Sequence, residues 1–205
     1  RPPGYGAAVT SILLVRHGQS EWNATGRWQG QADPPLSALG RQQAHAASGR
    51  VGTVDLIVSS DLERAAHTAQ ILSSALGVGP VVVEPRLRER DAGEWSGLTH
   101  DEIEEAWPGY LEQRRRPPGF ESDDDLLARV HDALDELDRT YRGAEILVVC
   151  HGGIVYALER QHDLPFERLP NLGARWATHH GDRLTLGERL QLVDDELLTS
   201  VPTQI

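Results

Sequence analysis

The stretch that anchors this chain is ILLVRHG at residues 12–18, four apolar residues that run directly into Arg-His-Gly. A near copy, ILVVCHG, occupies residues 146–152. Continuous aliphatic runs of this length are typical of strands that are buried on both faces of a parallel sheet. Sites in open α/β sheets form just beyond the carboxyl ends of the strands, where both copies place a histidine. We therefore expect His17 and His151 to meet at one sheet edge, with Arg16 beside them.

Length and composition indicate one soluble globular domain. The 205 residues suit a single α/β unit, and 39% apolar with 25% charged residues is ordinary for a folded domain. No apolar run approaches the roughly 20 residues that cross a bilayer, and no signal-peptide pattern opens the chain. Cys150 is the only cysteine, so no intramolecular disulfide can form. These features predict a cytoplasmic protein without a membrane partner.

The charge pattern restricts the partners and the chemistry. A formal charge of −11 makes nucleic acid and anionic membranes unfavourable partners. All 20 basic residues are arginine, and the absence of lysine excludes Schiff-base chemistry and a P-loop lysine. Arginine holds phosphate and carboxylate groups through two parallel N–H donors, so an anionic ligand would be bound by arginine clamps.

Strands alternate with helices along most of the chain, which predicts a three-layer α/β/α sandwich with a mostly parallel sheet. Beside the two His-Gly strands, short strands are expected at residues 54–59 and 81–83. Helices are expected at residues 37–48, 60–76, 99–107, 122–141 and 153–159. A hairpin with its turn at residues 180–182 would add an antiparallel edge strand. We interpret residues 98–121 as a small helical insertion over the site, within a single domain that spans residues 1–205.

Two helix starts have the pattern of a capping box, in which Ser or Thr and a Glu three residues later bond to each other's backbone. These starts are at Ser60–Glu63 and Thr99–Glu102. The first places Arg64 in the opening turn of a helix, near the carboxyl end of the preceding strand. Glu89 lies in a polar stretch that follows the third strand.

If these strand ends converge, they bring together one set of reactive side chains: Arg16, His17, Arg64, Glu89 and His151. The set is poor for a metal ion, because it offers only two imidazoles and its arginines repel a cation. It suits a phosphoryl group, whose oxygens the two arginines can bind bidentately. A neutral histidine can then attack phosphorus, and a protonated carboxyl group can supply the proton of the leaving group.

The sequence LVRHGQSEWN at residues 14–23 closely resembles the signature of the histidine phosphatase superfamily, in its phosphoglycerate mutase-like branch. The resemblance continues in the same order through residues 35–37, 59–65, 87–89, Gly93, Trp95 and residues 151–152. The combination is specific, whereas Arg-His-Gly alone would be a weak signal.

This resemblance implies a role for each matching residue. His17 would be the nucleophile that becomes phosphohistidine, and Glu89 would donate a proton to the departing alcohol and later take one from water. Arg16, Arg64 and His151 would bind the phosphoryl oxygens and stabilise the charge that develops in transfer. Positions implied to bind substrate are Ser20, Asn23, Gln29, Gly30 and Gly152. The resemblance implies no metal and no organic cofactor, and since relatives are often dimers it makes a homodimer an expectation.

The leading interpretation is a metal-independent phosphomonoester hydrolase that acts on small phosphorylated metabolites. The main alternative is a phosphoglycerate mutase that depends on 2,3-bisphosphoglycerate, which would use the same phosphohistidine. In such mutases the stretch that begins at the acid resembles Glu-Arg-His-Tyr-Gly. Here Glu89-Arg90 matches its first two residues, but Asp91 and Ala92 replace the next two. The loop at residues 28–31, Trp-Gln-Gly-Gln, looks more like bacterial broad-specificity phosphatases, including those for phosphorylated sugar acids such as glucosyl-3-phosphoglycerate. A binding module without chemistry would be expected to lack the histidine or the acid, and both are present.

Three weaker features have competing interpretations. The run Arg114–Arg116 is either a solvated basic face or a surface that steers an anionic substrate. Trp28 and Trp107 either line the substrate pocket or pack within the fold. We interpret His179-His180 as solvated turn residues rather than a metal site, because adjacent strand residues point to opposite faces.

Overall fold

The structure, a computed structural model, describes residues 9–180 and 183–198. Within these ranges, six strands form one sheet: β1 Thr10–Arg16, β2 Leu56–Ser59, β3 Val82–Val83, β4 Glu145–Cys150, β5 Gly173–His180 and β6 Arg183–Gln191. The described part of the chain also contains six α-helices: α1 Glu21–Ala24, α2 Ala38–Ala47, α3 Glu63–Leu76, α4 His100–Ala106, α5 Asp123–Thr140 and α6 Gly152–Gln161. The strand order in space is β3-β2-β4-β1-β5-β6.

The two His-Gly strands are neighbours in the centre of the sheet. β1 pairs with β4 in parallel, and the register places Ile12 beside Ile146 and Arg16 beside Cys150. Both strands therefore end at the same level, which brings their two histidines to one edge as predicted. β2 and β3 continue the parallel sheet on one side, while β5 and β6 are antiparallel on the other.

Side chains of β1 alternate between two apolar cores, which confirms the three-layer sandwich. Ile12 and Leu14 face the core that contains residues of α5 and α6, whereas Leu13 and Val15 face the core that contains residues of α3. All four side chains are fully buried. Because both faces of the central strands are covered by helices, the strands are apolar without interruption rather than alternating in polarity.

One of the two predicted capping boxes is correct and the other is wrong. Thr99 Oγ1 accepts from the backbone N–H of Glu102, whose carboxylate accepts from the Thr99 N–H, so α4 starts as expected. α3 instead begins at Glu63 after Leu62, without a side-chain cap. Ser60 Oγ accepts from the Leu62 N–H at 3.2 Å, two residues on, as in a turn. The Ser-x-x-Glu pattern was therefore a turn that precedes the helix.

One short helix was not expected from the sequence, and one local expectation needs correction. Residues 21–24 form the short helix α1, which lacks the length to show periodicity in the sequence. His179 is not a solvated turn residue, because it lies within β5, is 1% exposed and has Nε2 2.8 Å from Asp135 Oδ1. The antiparallel pairing of β5 and β6 confirms the predicted edge hairpin. Two of its three predicted turn residues, 181 and 182, lie outside the described part of the chain.

In the described ranges, none of the helices has both the length and the apolar character needed to span a membrane.

Candidate active site

His17 follows the last residue of β1 and is almost completely buried, with 2% of its surface exposed. Its Nδ1 lies 2.6 Å from the carbonyl oxygen of Gly18, which can only accept, so Nδ1 carries the ring proton. Nε2 accepts a hydrogen bond from Arg64 Nε at 3.2 Å. Burial, together with the charges of Arg64 and Arg16, lowers the pKa of His17 well below its ordinary value of 6.5. His17 is thus neutral, with the lone pair of Nε2 directed at a cation.

Arg64 projects from the first turn of α3 and is fully buried. Its two terminal nitrogens donate to the carbonyl oxygens of Ala32 at 2.8 Å and Gly30 at 2.9 Å, which fixes the plane of the guanidinium group. Burial lowers the pKa of Arg64 to about 10, so the side chain remains protonated at neutral pH. A fixed, desolvated cation beside a neutral imidazole is suited to stabilise negative oxygens on a group that the imidazole attacks.

Arg16 is held on the other side of His17 by the loop that precedes β5. Arg16 Nη1 donates to the carbonyl oxygen of Leu169 at 2.6 Å, while the Leu169 N–H donates to Tyr156 Oη at 2.9 Å. Arg16 Nε is buried and has no hydrogen-bond partner among the described residues. A buried, unpaired N–H is costly unless a ligand accepts from it, so this donor fits an anionic ligand.

His151 follows β4 directly and precedes the first turn of α6. Its ring is fully buried, and its centroid lies 5.1 Å from that of His17 at an interplanar angle of 61°. Nε2 lies 3.0 Å from Ser60 Oγ, whereas Nδ1 is buried without a hydrogen-bond partner among the described residues. Burial, followed by the charge of Arg64, lowers the pKa of His151 well below 6.5, so this ring is also neutral.

Glu89 lines the same pocket as His17 and rests against the start of α6. Its Oε2 accepts from the Gly153 N–H at 3.1 Å, and its Oε1 accepts from the Arg90 N–H at 2.6 Å. A Cβ atom at Gly153 would lie 2.2 Å from Glu89 Oε1, so this close approach requires glycine. The carboxyl group is therefore placed by backbone contacts at the border of the pocket.

Arg129 of α5 is a residue that sequence analysis missed. Its guanidinium group donates to the carbonyl oxygens of Arg86 at 2.6 Å, Arg88 at 2.7 Å and Glu89 at 3.1 Å. It also donates to both carboxylate oxygens of Glu121. Arg129 therefore binds the loop that carries the acid to the helical layer.

One pocket contains most of the predicted site. Seven of the ten predicted residues line it: Arg16, His17, Asn23, Gln29, Gly30, Glu89 and Gly152. Arg64 and His151 are in contact with one of these lining residues, His17: Arg64 donates a hydrogen bond to its ring, and the ring of His151 packs against it. Ser20 is fully buried, and its hydroxyl donates to Gln29 Oε1 at 2.6 Å and accepts from the Asn23 N–H. The structure thus places Ser20 as a support for two lining residues.

The outer part of the pocket is basic and aromatic. Of the run at residues 114–116, Arg116 alone lines the pocket, and its guanidinium group lies 5.1 Å from the ring centroid of Phe120. Asp123 accepts from Arg90 at 2.5 Å and also pairs with Arg160. Two arginines thus share the carboxylate of Asp123, and Arg116 adds a third positive charge to the same lining.

Trp28 and Trp107 differ in their relation to the pocket. Trp28 lines the pocket and also packs edge-on against Trp95, at 5.2 Å between centroids. Trp107 packs against Trp95 at 6.5 Å and is not part of the lining. In the described ranges, no group of three His, Cys, Asp or Glu side chains is arranged to hold a metal ion.

The two buried histidines predict a pH-dependent stability. Both stay neutral in the folded chain, whereas in the unfolded chain they ionise near pH 6.5. Below that pH the unfolded state binds more protons, so their stabilising contribution is present above pH 6.5 and is lost as the pH falls. We expect the free energy of unfolding to decrease below pH 6.5 by up to about 1.4 kcal/mol per pH unit for each histidine.

Urea denaturation at pH 7.5, 6.5 and 5.5 measures this effect. The variant His17→Gln should show a shallower dependence than the parent, because one buried ionisable group is removed. His45→Gln, at an exposed position of α2, should retain the slope of the parent. An equal slope in the His17→Gln variant would contradict the neutral, buried state of His17.

Comparisons with known proteins agree with this geometry. The family model described as histidine phosphatase superfamily (branch 1) matches residues 12–187. A glucosyl-3-phosphoglycerate phosphatase of Mycolicibacterium vanbaalenii is 40% identical in an alignment of 180 positions that covers 80% of this chain and 80% of the relative. A metal-independent phosphoserine phosphatase of Arabidopsis thaliana is 37% identical over 73% of this chain and 67% of the relative. A solved mycobacterial glucosyl-3-phosphoglycerate phosphatase in complex with VO3 superposes with a TM-score of 0.77, at 36% identity over 86% of this chain and 96% of that chain.

Proposed function

This chain belongs to branch 1 of the histidine phosphatase superfamily, and we propose that it acts through a phosphohistidine at His17. It is a phosphomonoesterase for small phosphorylated metabolites. The observation that carries the proposal is the state of the His17 ring. Gly18 holds the proton on Nδ1, and Arg64 donates to the lone pair of Nε2. A neutral nucleophile that faces a buried cation fits attack on a phosphoryl group.

In the first step, the N–H groups of Arg16, Arg64 and His151 bind the phosphoryl oxygens of the substrate. The Arg64 guanidinium group keeps its plane, and its Nε–H changes acceptor from His17 Nε2 to a phosphoryl oxygen, which frees the lone pair. Nε2 then forms a bond to phosphorus while the bond from phosphorus to the ester oxygen breaks. Glu89, in its protonated form, gives its proton to the departing alcohol.

In the second step, water replaces the alcohol beside Glu89. The Glu89 carboxylate takes a proton from this water as its oxygen attacks phosphorus, and the bond between phosphorus and His17 Nε2 breaks. Inorganic phosphate leaves, and both residues return to their starting states. No step in this sequence uses a metal ion or an organic cofactor, since the cations that offset the phosphoryl charge are arginines.

A hydrolase accounts for these findings better than a mutase. Relatives that match most of this chain include glucosyl-3-phosphoglycerate phosphatase and phosphoserine phosphatase. A solved phosphoglycerate mutase of Bacillus anthracis superposes at only 20% identity, and this similarity supports a shared fold but not a shared activity. The homodimer and the cytoplasmic location expected from the sequence, and the single domain over residues 1–205, stay predictions.

We further propose that the substrate carries a carboxylate close to its phosphate. Arg90 and Arg160 both pair with the carboxylate of Asp123, and Arg116 lines the same pocket. The compounds named for two relatives, glucosyl-3-phosphoglycerate and phosphoserine, both contain a carboxylate near the phosphate. A second anion at the entrance would complement the excess positive charge there.

A phosphate-release assay with matched substrates tests this function. Release from p-nitrophenyl phosphate should persist in excess EDTA. For substrates that carry the carboxylate, kcat/KM should be about tenfold or more higher, as one charge-assisted contact predicts. The pairs are phosphoserine against phosphoethanolamine, and 3-phosphoglycerate against glycerol 3-phosphate.

The variant Arg116→Gln should reduce the preference for the carboxylated partner, while Arg114→Gln, which removes the same charge outside the pocket lining, should retain it. Loss of activity in EDTA would contradict the metal-independent route. Interconversion of 2- and 3-phosphoglycerate with a bisphosphoglycerate primer and without phosphate release would favour the mutase instead.

A further inference from the structure

Ser60 occupies an unexpected position next to the phosphoryl site. It follows the last residue of β2 and is fully buried. Its hydroxyl oxygen accepts from the Leu62 N–H at 3.2 Å and lies 3.0 Å from His151 Nε2. The Ser60 hydroxyl thus connects the turn before α3 to the second histidine, which follows β4.

The direction of the hydrogen bond between Ser60 and His151 follows from the remaining contacts. Within residues 9–180 and 183–198, His151 Nε2 is the one acceptor in hydrogen-bond contact with the Ser60 hydroxyl hydrogen. Either arrangement leaves one hydrogen unpaired among the described residues. If Nε2 were the donor, this would be the serine hydrogen; with the serine as donor, it is the hydrogen on Nδ1, where an anionic ligand held by Arg16 and Arg64 can accept from it. The serine therefore donates and the imidazole accepts, as a neutral ring can at one nitrogen only.

This direction decides where the ring proton of His151 is. With Nε2 as an acceptor, the proton is on Nδ1, the nitrogen that is buried without a partner among the described residues. His17 packs against the same ring, and Arg64 and Arg16 are close enough for their charges to act on it. In this tautomer His151 presents an N–H to a phosphoryl oxygen. In the other tautomer Nδ1 would present a lone pair, which repels an anionic oxygen.

We propose that Ser60 is a positioning residue that fixes the Nδ1–H tautomer of His151, so that this histidine donates a hydrogen bond to the phosphoryl group during transfer. The inference rests on the proposed function in so far as it assigns the phosphoryl oxygens to this pocket. It adds a residue that has no contact with the substrate and acts through its neighbour. The same logic applies to His17, where a carbonyl oxygen rather than a hydroxyl sets the tautomer.

The tautomer can be measured in the parent protein without any mutation. Long-range ¹H–¹⁵N spectra of protein labelled at histidine distinguish a protonated from an unprotonated ring nitrogen, and the variant His151→Gln assigns the signals. We expect His151 to show a protonated Nδ1 and an unprotonated Nε2 at pH 7.5. A protonated Nε2 would overturn the proposal, whether or not the protein hydrolyses any substrate tested.

Variants of Ser60 test the consequence for binding, with inorganic phosphate as the probe. Ser60→Ala should raise the inhibition constant of phosphate and lower kcat/KM, each by roughly 10- to 100-fold, and should shift the His151 proton toward Nε2. Ser60→Thr retains the hydroxyl and should restore the tautomer and most of the phosphate binding.

Ser59→Ala is the matched control, because Ser59 is equally buried but donates to the Ser60 carbonyl oxygen and not to a histidine. It should keep the parent tautomer and the parent inhibition constant. Equal losses in Ser59→Ala and Ser60→Ala would mean that only packing is affected and would overturn the proposal. If Ser60→Ala does not fold, the spectra of the parent protein decide. If the parent releases no phosphate from any ester, the proposed function fails while the tautomer and phosphate binding are still measured.

Discussion

Replacement of His17 by alanine should lower kcat/KM for every substrate by about 10⁴-fold or more, because removal of a nucleophile leaves only the catalysis that binding and charge stabilisation provide. His17 Nε2 is the nitrogen whose lone pair meets the buried guanidinium group of Arg64. The loss should be the same for good and poor leaving groups, since no phosphoenzyme can form. Steady-state kinetics with p-nitrophenyl phosphate and phosphoserine measures it.

Trapping of the intermediate provides a second measurement for this variant. The parent protein, mixed with ³²P-labelled substrate and quenched in alkali, should carry label that acid removes, as expected for a phosphorus–nitrogen bond. His17→Ala should carry none, while His45→Ala, at an exposed position of α2, should match the parent. A His17→Ala variant that folds normally and still turns over would exclude His17 as the nucleophile.

Replacement of Glu89 by glutamine should separate substrates by their leaving groups. For alkyl phosphates such as phosphoserine, the departing alcohol needs a proton, so kcat/KM should fall by about 10²–10⁴-fold. For p-nitrophenyl phosphate the leaving group departs without a proton, so kcat/KM should fall far less. The second step also needs Glu89, so rapid mixing with p-nitrophenyl phosphate should show a burst of one equivalent followed by slow turnover.

The control for this variant is Glu94→Gln, which removes a carboxylate from the same loop at an exposed position. It should leave the ratio between the two substrates unchanged. Equal losses for alkyl and p-nitrophenyl phosphates in Glu89→Gln would indicate that Glu89 maintains the pocket rather than transferring a proton. The glutamine carbonyl oxygen can keep the contact with the Gly153 N–H, whereas the contact with the Arg90 N–H is lost, so the side chain retains one of its two backbone partners.

The central sheet and its edge could be predicted from the sequence because of burial on both faces. Ile12–Val15 and Ile146–Val149 are apolar without interruption, a pattern that central parallel strands show and edge strands do not. Once two such strands end in His-Gly, their convergence follows from the topology. The positions of Arg64 and Glu89 followed from the ends of neighbouring strands in the same way.

What the sequence could not provide are contacts that depend on tertiary placement. Arg129 is an ordinary arginine in an amphipathic helix, and its three backbone acceptors lie about 40 residues earlier in the chain. Ser60 has the local pattern of a helix cap, and only the position of β4 beside β2 turns it toward His151. The sequence around His179 predicts a turn, and its burial cannot be read there because its partner, Asp135, belongs to another element.

The parallel register of β1 and β4 has a consequence for the cost of catalysis. Arg16 is level with Cys150, and each is followed directly by a histidine at the end of a strand with five fully buried residues. The two imidazoles therefore lose their freedom when the core forms, not when a substrate arrives. Binding energy need not be used to order them. It remains available to stabilise the phosphoryl group as this group passes from the ester oxygen to His17 Nε2 and then to the oxygen of water.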